Sequence, residues 1–242
     1  MRIVTTFIVI LITSLGLVQA ASRIDEIPIP AGYTAVEYPA SGYSHWVTRC
    51  PLKSNLDILD HSGRKVPPGA YSVYAVLDLP PLFSGDLEQC ADYAMRLWAE
   101  YHKDRNILDK LYLFDYNGRR QYYKASHLSD RNFLHRAFAN SSSYFLKQGC
   151  AAVDAAALVP GDMVVQNERG GVGHVSVVLN VCLNSSGQKL YLLGFSYMPA
   201  QEFHVERALE GYGTEGWFTL EEYFRYLQDY MDLGTPVLRR FK

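Results

Sequence analysis

The sequence predicts an α+β fold, with helices gathered in the first half and packed on an antiparallel sheet gathered in the second. Three observations lead there. The clearest helical periodicity lies at residues 86–101, where Leu87, Cys90, Ala91, Ala94, Leu97, Trp98 and Tyr101 recur at three- and four-residue spacing and share one face. Residues 163–206 carry short runs rich in β-branched and aromatic residues, separated by turn residues. Between these regions, Asn117-Gly118 interrupts two apolar–aromatic runs, which marks a hairpin with a type I′ turn.

Taken in order, the chain opens on a segment to be read apart from the fold. Met1-Arg2 is a short basic start, residues 3–18 are mostly apolar, and Val18-Gln19-Ala20 is a small-x-small pattern, so residues 1–20 read as a secretory signal cleaved near Ala20. The competing reading is an uncleaved membrane anchor. Thr5, Thr6, Thr13 and Ser14 dilute the apolar run, and no stop-transfer flank follows it. The first cysteine is Cys50, so none stands just past the signal for lipid attachment. An exported product, periplasmic or extracellular and free of the membrane after cleavage, is expected, with residues 21–242 as one domain.

Residues 28–32 are extended, 45–50 and 55–60 read as short strands, and 71–79 as a β-rich run ended by Pro80-Pro81. Asp86 with Gln89 three residues later is a capping-box pattern, which starts the first long helix just ahead of Cys90. The hairpin covers 111–124, a second helix 129–147, and a further short helix 151–157. Strands are expected at 163–166, 174–182, 189–196 and 202–206, and a closing helix at 219–233.

Composition excludes some partners. Arg2 is the one charge within residues 1–20, so the remainder balances 22 basic against 25 acidic side chains without a basic run. Such a chain does not neutralise phosphates, and no nucleic-acid partner is expected. The 18 tyrosines suit half-exposed sheet surfaces as well as sugar-stacking platforms. No CxxC, HExxH or EF-hand spacing occurs, so neither a metal nor another cofactor is expected. The four cysteines, Cys50, Cys90, Cys150 and Cys182, would sit in an oxidising compartment and allow two bridges, or one at most if Cys90 is a nucleophile.

The constellation that points to a reaction is Cys90 with His174. A thiolate attacks carbonyl carbon, so its site must lower the thiol's pKa, and N–H groups at a helix start together with a protonated imidazole do that. The N–H of Cys90 would face the developing oxyanion, with Gln89 a further donor there unless its capping role holds it. Against this, Cys90 lies on the apolar stripe, where a free cysteine is ordinarily inert core. His174 opens a strand in which Val175, Val177, Leu179 and Val181 alternate onto one face while His174, Ser176, Val178, Asn180 and Cys182 share the other. Gly170, Gly171 and Gly173 precede it and suggest a loop that a ligand can approach closely. A third polar group usually orients the histidine. Folding 174–182 back on 189–196 sets His174 opposite residues 195–197, which makes Ser196 the first candidate and Gln201 or Glu202 the alternatives.

Pro160-Gly161-Asp162-Met163-Val164 and Gly173-His174-Val175-Ser176-Val177 resemble, in order and spacing, the histidine region of papain-like cell-wall cysteine peptidases of the NlpC type. That family's cysteine opens a helix within Asp-Cys-Ser, whereas this chain reads Gln89-Cys90-Ala91. Over nearly the whole chain after residue 20, segments 30–33 (PAGY), 46–53 (WVTRCPLK), 86–101, 161–181, 196–205 (SYMPAQEFHV) and Gly216-Trp217 resemble an exported bacterial family, domain of unknown function 4846, common among Bacteroidetes. Such relatives usually carry Gln where this chain has Phe195, and tend to have Leu and Thr where Cys50 and Cys150 stand. The resemblance thereby implies a Cys50–Cys150 disulfide. The resemblance to the NlpC-type peptidases implies a papain-like fold and a peptide or cell-wall fragment as substrate. The functions to weigh are a thiol hydrolase of envelope peptides, a non-catalytic module binding peptide or glycan on the same fold, and an acyltransferase using the same pair.

Overall fold

The computed structural model describes residues 21–242, and the signal-like segment 1–20 lies outside them. The fold is α+β, built on an eight-stranded antiparallel sheet with helices on both faces. In chain order the elements are β1 (Tyr33–Ala35), α1 (Tyr43–Thr48), β2 (Val73–Val76), α2 (Cys90–Asp104), β3 (Tyr112–Phe114), β4 (Arg120–Tyr122), α3 (Tyr123–Ser126), α4 (Asp130–Asn140), α5 (Ser143–Gly149), β5 (Ala151–Ala152), β6 (Met163–Gln166), β7 (His174–Asn184), β8 (Lys189–Phe195), β9 (His204–Glu206), α6 (Leu220–Tyr230) and β10 (Val237–Arg240). The strand order is β2-β9-β8-β7-β6-β10-β5, with β1 also paired to β7, and β3-β4 form a separate hairpin. No helix among the described residues is long and apolar enough to cross a membrane.

β7 is the spine. Val175, Val177 and Leu179 pack on one face with Ala91, Ala94 and Met95 of α2. Val178 and Val181 pack on the other with Tyr223, Tyr226 and Leu227 of α6. The expected alternation fails after Leu179, because a bulge between Val178 and Asn180 slips the register against β8. Val181 and Cys182 therefore lie on faces opposite to those expected, and a one-residue slip always exchanges faces in this way.

Other departures have similar tertiary causes. Residues 45–50 lie in and just after a helix, not a strand: Tyr43 and Trp46, three apart on α1, both pack on the aromatic rings of α2. Residues 55–60 form no strand and make isolated bridges from Leu59 and Asp60. The expected helix 129–147 is two helices, broken at the extended residues Ser141 and Ser142, and 151–157 is a short strand and a 3₁₀ turn. The first long helix starts three residues later than expected, with Gln89 rather than Asp86 as its cap, whose N–H donates to the Asp92 carboxylate at 3.0 Å. Arg96 of α2 reaches back to Glu88 (2.6 Å) and the Pro80 carbonyl (2.8 Å), which ties the approach to Cys90 onto the helix. Its i,i+4 partner Glu100 is farther, at 3.6 Å. The Arg96–Glu88 pair is buried, both side chains being at most 4 % exposed, and it holds the residue two before Cys90.

Candidate active site

Because the helix starts late, Cys90 is the first residue of α2 and not the fourth, so it stands where the helix N–H groups are unpaired and the dipole is strongest. Its side chain meets the start of β7. The N–H and C=O of Val178 are taken by the Asp162–Gly161 turn that leads into β6, and backbone groups of successive residues point to opposite edges of a strand. The corresponding groups of Gly173 and Val175 therefore point toward β8, whose pairing begins farther on, at Val177–Gly194. Cys90 occupies the space left there, with Sγ 4.0 Å from the Gly173 carbonyl oxygen. The thiol thus lies against the backbone on either side of His174.

Burial pushes the Cys90 thiol up to about 12; the N–H groups of Val175, Ala91 and Cys90 itself work the other way, and the neighbouring Asp92 charge adds to the rise. The residue is 6 % exposed. His174 is fully buried, and burial followed by the nearby His204 takes its pKa down to about 3. Its Nε2 lies 3.0 Å from Ser176 Oγ, which accepts a 2.6 Å hydrogen bond from the Tyr223 hydroxyl of α6. Its Nδ1 has no hydrogen-bond partner. The ring stands edge-on to Phe195 at 4.8 Å and 5.8 Å from the ring of Tyr197. Burial raises the Tyr197 hydroxyl's pKa, and Cys90 contributes to that rise, so Tyr197 neighbours both members of the pair.

The other anticipated residues are engaged elsewhere. The Ser196 hydroxyl donates to the Gln201 carbonyl (2.7 Å). The Gln201 amide donates to Tyr71 Oη (2.8 Å), and Glu202 accepts from Lys53 and from the Leu59 N–H, both at 2.8 Å. None of the three hydrogen-bonds His174. The side-chain amide of Gln89 donates to Asp86 at 2.9 Å and so is already occupied. All four cysteines are free thiols, and the Cys50–Cys150 bridge is not formed; Cys50 Sγ instead lies 3.8 Å from the Trp46 carbonyl oxygen. Gly173 is closed rather than open, since a Cβ there would meet Ser143 Oγ at 2.4 Å and Asn167 Nδ2 at 2.5 Å. Asn167 also binds Gly170 and Gly171, fixing the loop that delivers His174.

Ser176 and Tyr223 are the polar partners that sequence reading did not select. The first was legible, since residues two apart on a strand share a face. The second was not, because α6 meets β7 only in the folded chain. A similar arrangement stands next to it: His204 Nε2 lies 2.9 Å from Glu206, which accepts from Tyr226 (2.9 Å) and the Ser72 N–H (3.0 Å). Among the described residues, no three His, Cys, Asp or Glu side chains converge as ligands of a cation would.

Fold and site together describe an α+β protein in which a helix-opening thiol lies against the backbone on either side of a strand-opening histidine, whose ring is held by Ser176. Residues 114–230 match the model of a family described as domain of unknown function (4846). The match supports the resemblance to that family over the stretch from β3 through α6, which contains His174, Ser176 and Tyr223 but not Cys90. No curated protein and no solved structure matches the chain.

Proposed function

We propose that this protein is an exported thiol hydrolase of the papain-like, NlpC-related type that cleaves amide bonds in cell-envelope peptides. Cys90 is its nucleophile and His174 its base. The observation that carries the reading is the seat of the thiol: at the first residue of α2, against the Gly173 and Val175 backbone that flanks His174. Nε2 of His174 is occupied by Ser176, so the nitrogen that takes the thiol's proton is the unpartnered Nδ1.

In the reaction, Cys90 Sγ passes its proton to Nδ1 and attacks the carbonyl carbon of the scissile amide. The C–N bond breaks as the imidazolium returns that proton to the leaving amine, and a water then splits the thioester to release the acid and free the thiol. An amine in place of that water makes the same pair an acyltransferase. With the thiol pushed up to about 12 and the imidazole down to about 3, the resting pair is neutral. The thiolate–imidazolium ion pair is a proton tautomer of that neutral pair, so its share of the singly protonated pair does not change with pH.

A second reading is favoured by one specific observation. The Phe195 ring stands where a polar group would orient His174, and both members of the pair are buried. That suits a non-catalytic module binding peptide or glycan. Incubating residues 21–242 with branched diamino-acid peptides of the cell-wall type, under reducing conditions, separates the two. Hydrolysis predicts new amine termini with the wild type and none with Cys90→Ser; equal release, or none from either, overturns the enzyme reading.

A further inference from the structure

We infer that Ser176 and Tyr223 are the positioning residues of His174, doing from its own strand and from α6 what a polar side chain at residue 195 cannot do. This rests on the proposed Cys90–His174 pair. Phe195 presents only a ring edge to the imidazole. Ser196, next along the chain, is turned to the Gln201 carbonyl. The nitrogen left to be oriented is Nε2, and the group at it is Ser176 Oγ, 3.0 Å away and wholly buried.

The chemistry of that contact fits the base. A histidine that accepts a proton on Nδ1 must carry its other proton on Nε2, and that N–H needs an acceptor. A hydroxyl oxygen has two lone pairs. Ser176 Oγ has lone pairs for both the Tyr223 hydroxyl and an Nε2–H, and the proposed pair requires that tautomer, with Nδ1 left bare. When Nδ1 takes the Cys90 proton, the imidazolium strengthens the same Nε2–H···Oγ bond, because a charged donor binds about twice as well as a neutral one. Tyr223 keeps the serine oxygen turned to the ring. It is itself wholly buried, and burial holds its hydroxyl protonated, with the Ser176 bond acting in the opposite sense. The titratable groups around the imidazole are Tyr197 after β8, His204 from β9 and, through Ser176, Tyr223 from α6; Cys90 of α2 lies against the backbone flanking it.

The test reads the rate at which iodoacetamide labels Cys90 from pH 5 to 9, with peptide mass separating it from the other three cysteines. Wild type is expected to give a pH-independent plateau. Ser176→Ala should lower the plateau about tenfold and leave it flat, as expected for a lost hydrogen bond to a charged group. Tyr223→Phe should lower it about threefold, and Ser176→Thr, which keeps the hydroxyl, should restore it. ¹⁵N NMR of His174 should show the Nε2–H tautomer in wild type and a mixture in Ser176→Ala. A plateau and tautomer unchanged in both Ser176→Ala and Tyr223→Phe overturn the positioning role alone. If the wild type shows no plateau, the Cys90–His174 pairing itself fails, and this inference with it.

Discussion

His174 and His204 stand side by side on one face of the sheet, each edge-on to the Phe195 ring and each with Nδ1 unpartnered. Each opens a strand, and each sets its Nε2 on the residue two positions on, which binds a tyrosine of α6: Ser176 with Tyr223, Glu206 with Tyr226. The difference is the middle group. Glu206 is a buried carboxylate that also accepts the Ser72 N–H, so it fastens β9, the start of β2 and α6 together. Ser176 is a hydroxyl that donates or accepts as needed and holds only the ring and one tyrosine. The comparison teaches that a buried carboxylate suits a histidine that must not change. A hydroxyl suits one that gains and loses a proton, and His174 is the one whose flanking backbone carries a thiol.

The largest effect that tests this contrast is on stability. Glu206→Ala should cost about 3–5 kcal/mol, since it strands His204, Tyr226 and a backbone N–H in the interior. The midpoint and slope of urea unfolding would show it, and a cost below about 1 kcal/mol would remove the distinction between the two arrangements.

Next in size is a dependence on acid. His174 is held near 3 when folded but returns toward 6.5 when unfolded. As pH falls below about 6.5, the unfolded chain takes up a proton that the folded chain refuses, so stability drops by about 1.4 kcal/mol per pH unit until roughly pH 3. Above 6.5 the two states agree and this contribution is flat. His174→Gln should lack that part of the slope in unfolding measured from pH 7 to 4, and identical slopes would place the imidazole in a less buried site than the one described.

The smallest effect belongs to the hydroxyl pair. Tyr223→Phe should cost about 1 kcal/mol of stability, the ordinary value of one neutral hydrogen bond, read by the same urea midpoint. A cost like that of Glu206→Ala would make the Ser176 arrangement as structural as its neighbour.

How much of this was legible in the sequence depends on whether a feature is local. Asn117-Gly118 announced the β3–β4 hairpin but not its turn type: Gly118 has a positive φ and Asn117 does not, so the turn is not the expected type I′. The β6, β7, β8 and β9 strands and the capped α6 follow from runs that alternate or repeat within a few residues. The α2 start was misplaced because Asp86 and Gln89 fit the capping pattern as well as Gln89 and Asp92 do, and only the folded chain shows Asp86 bound to the Ala200 N–H instead. Val181 and Cys182 were put on the wrong faces because a bulge leaves no mark in the spacing. Cys90 and His174 could be named from helix start and strand start, and Ser176 from its place two residues on. Tyr223 and Tyr226 could not, since three-residue spacing on a helix does not say which strand it will cover.

The central claim is that Cys90 and His174 share a proton, and the rate of Cys90 alkylation as a function of pH tests it most directly in wild type and His174→Ala. The pair predicts a wild-type rate that is level from pH 5 to 9, because the thiolate–imidazolium tautomer is a constant fraction of the neutral pair. In His174→Ala the rate should climb about tenfold per pH unit, as for an isolated thiol well below its pKa. A tenfold climb per unit in both proteins would contradict the account and return Cys90 to the core.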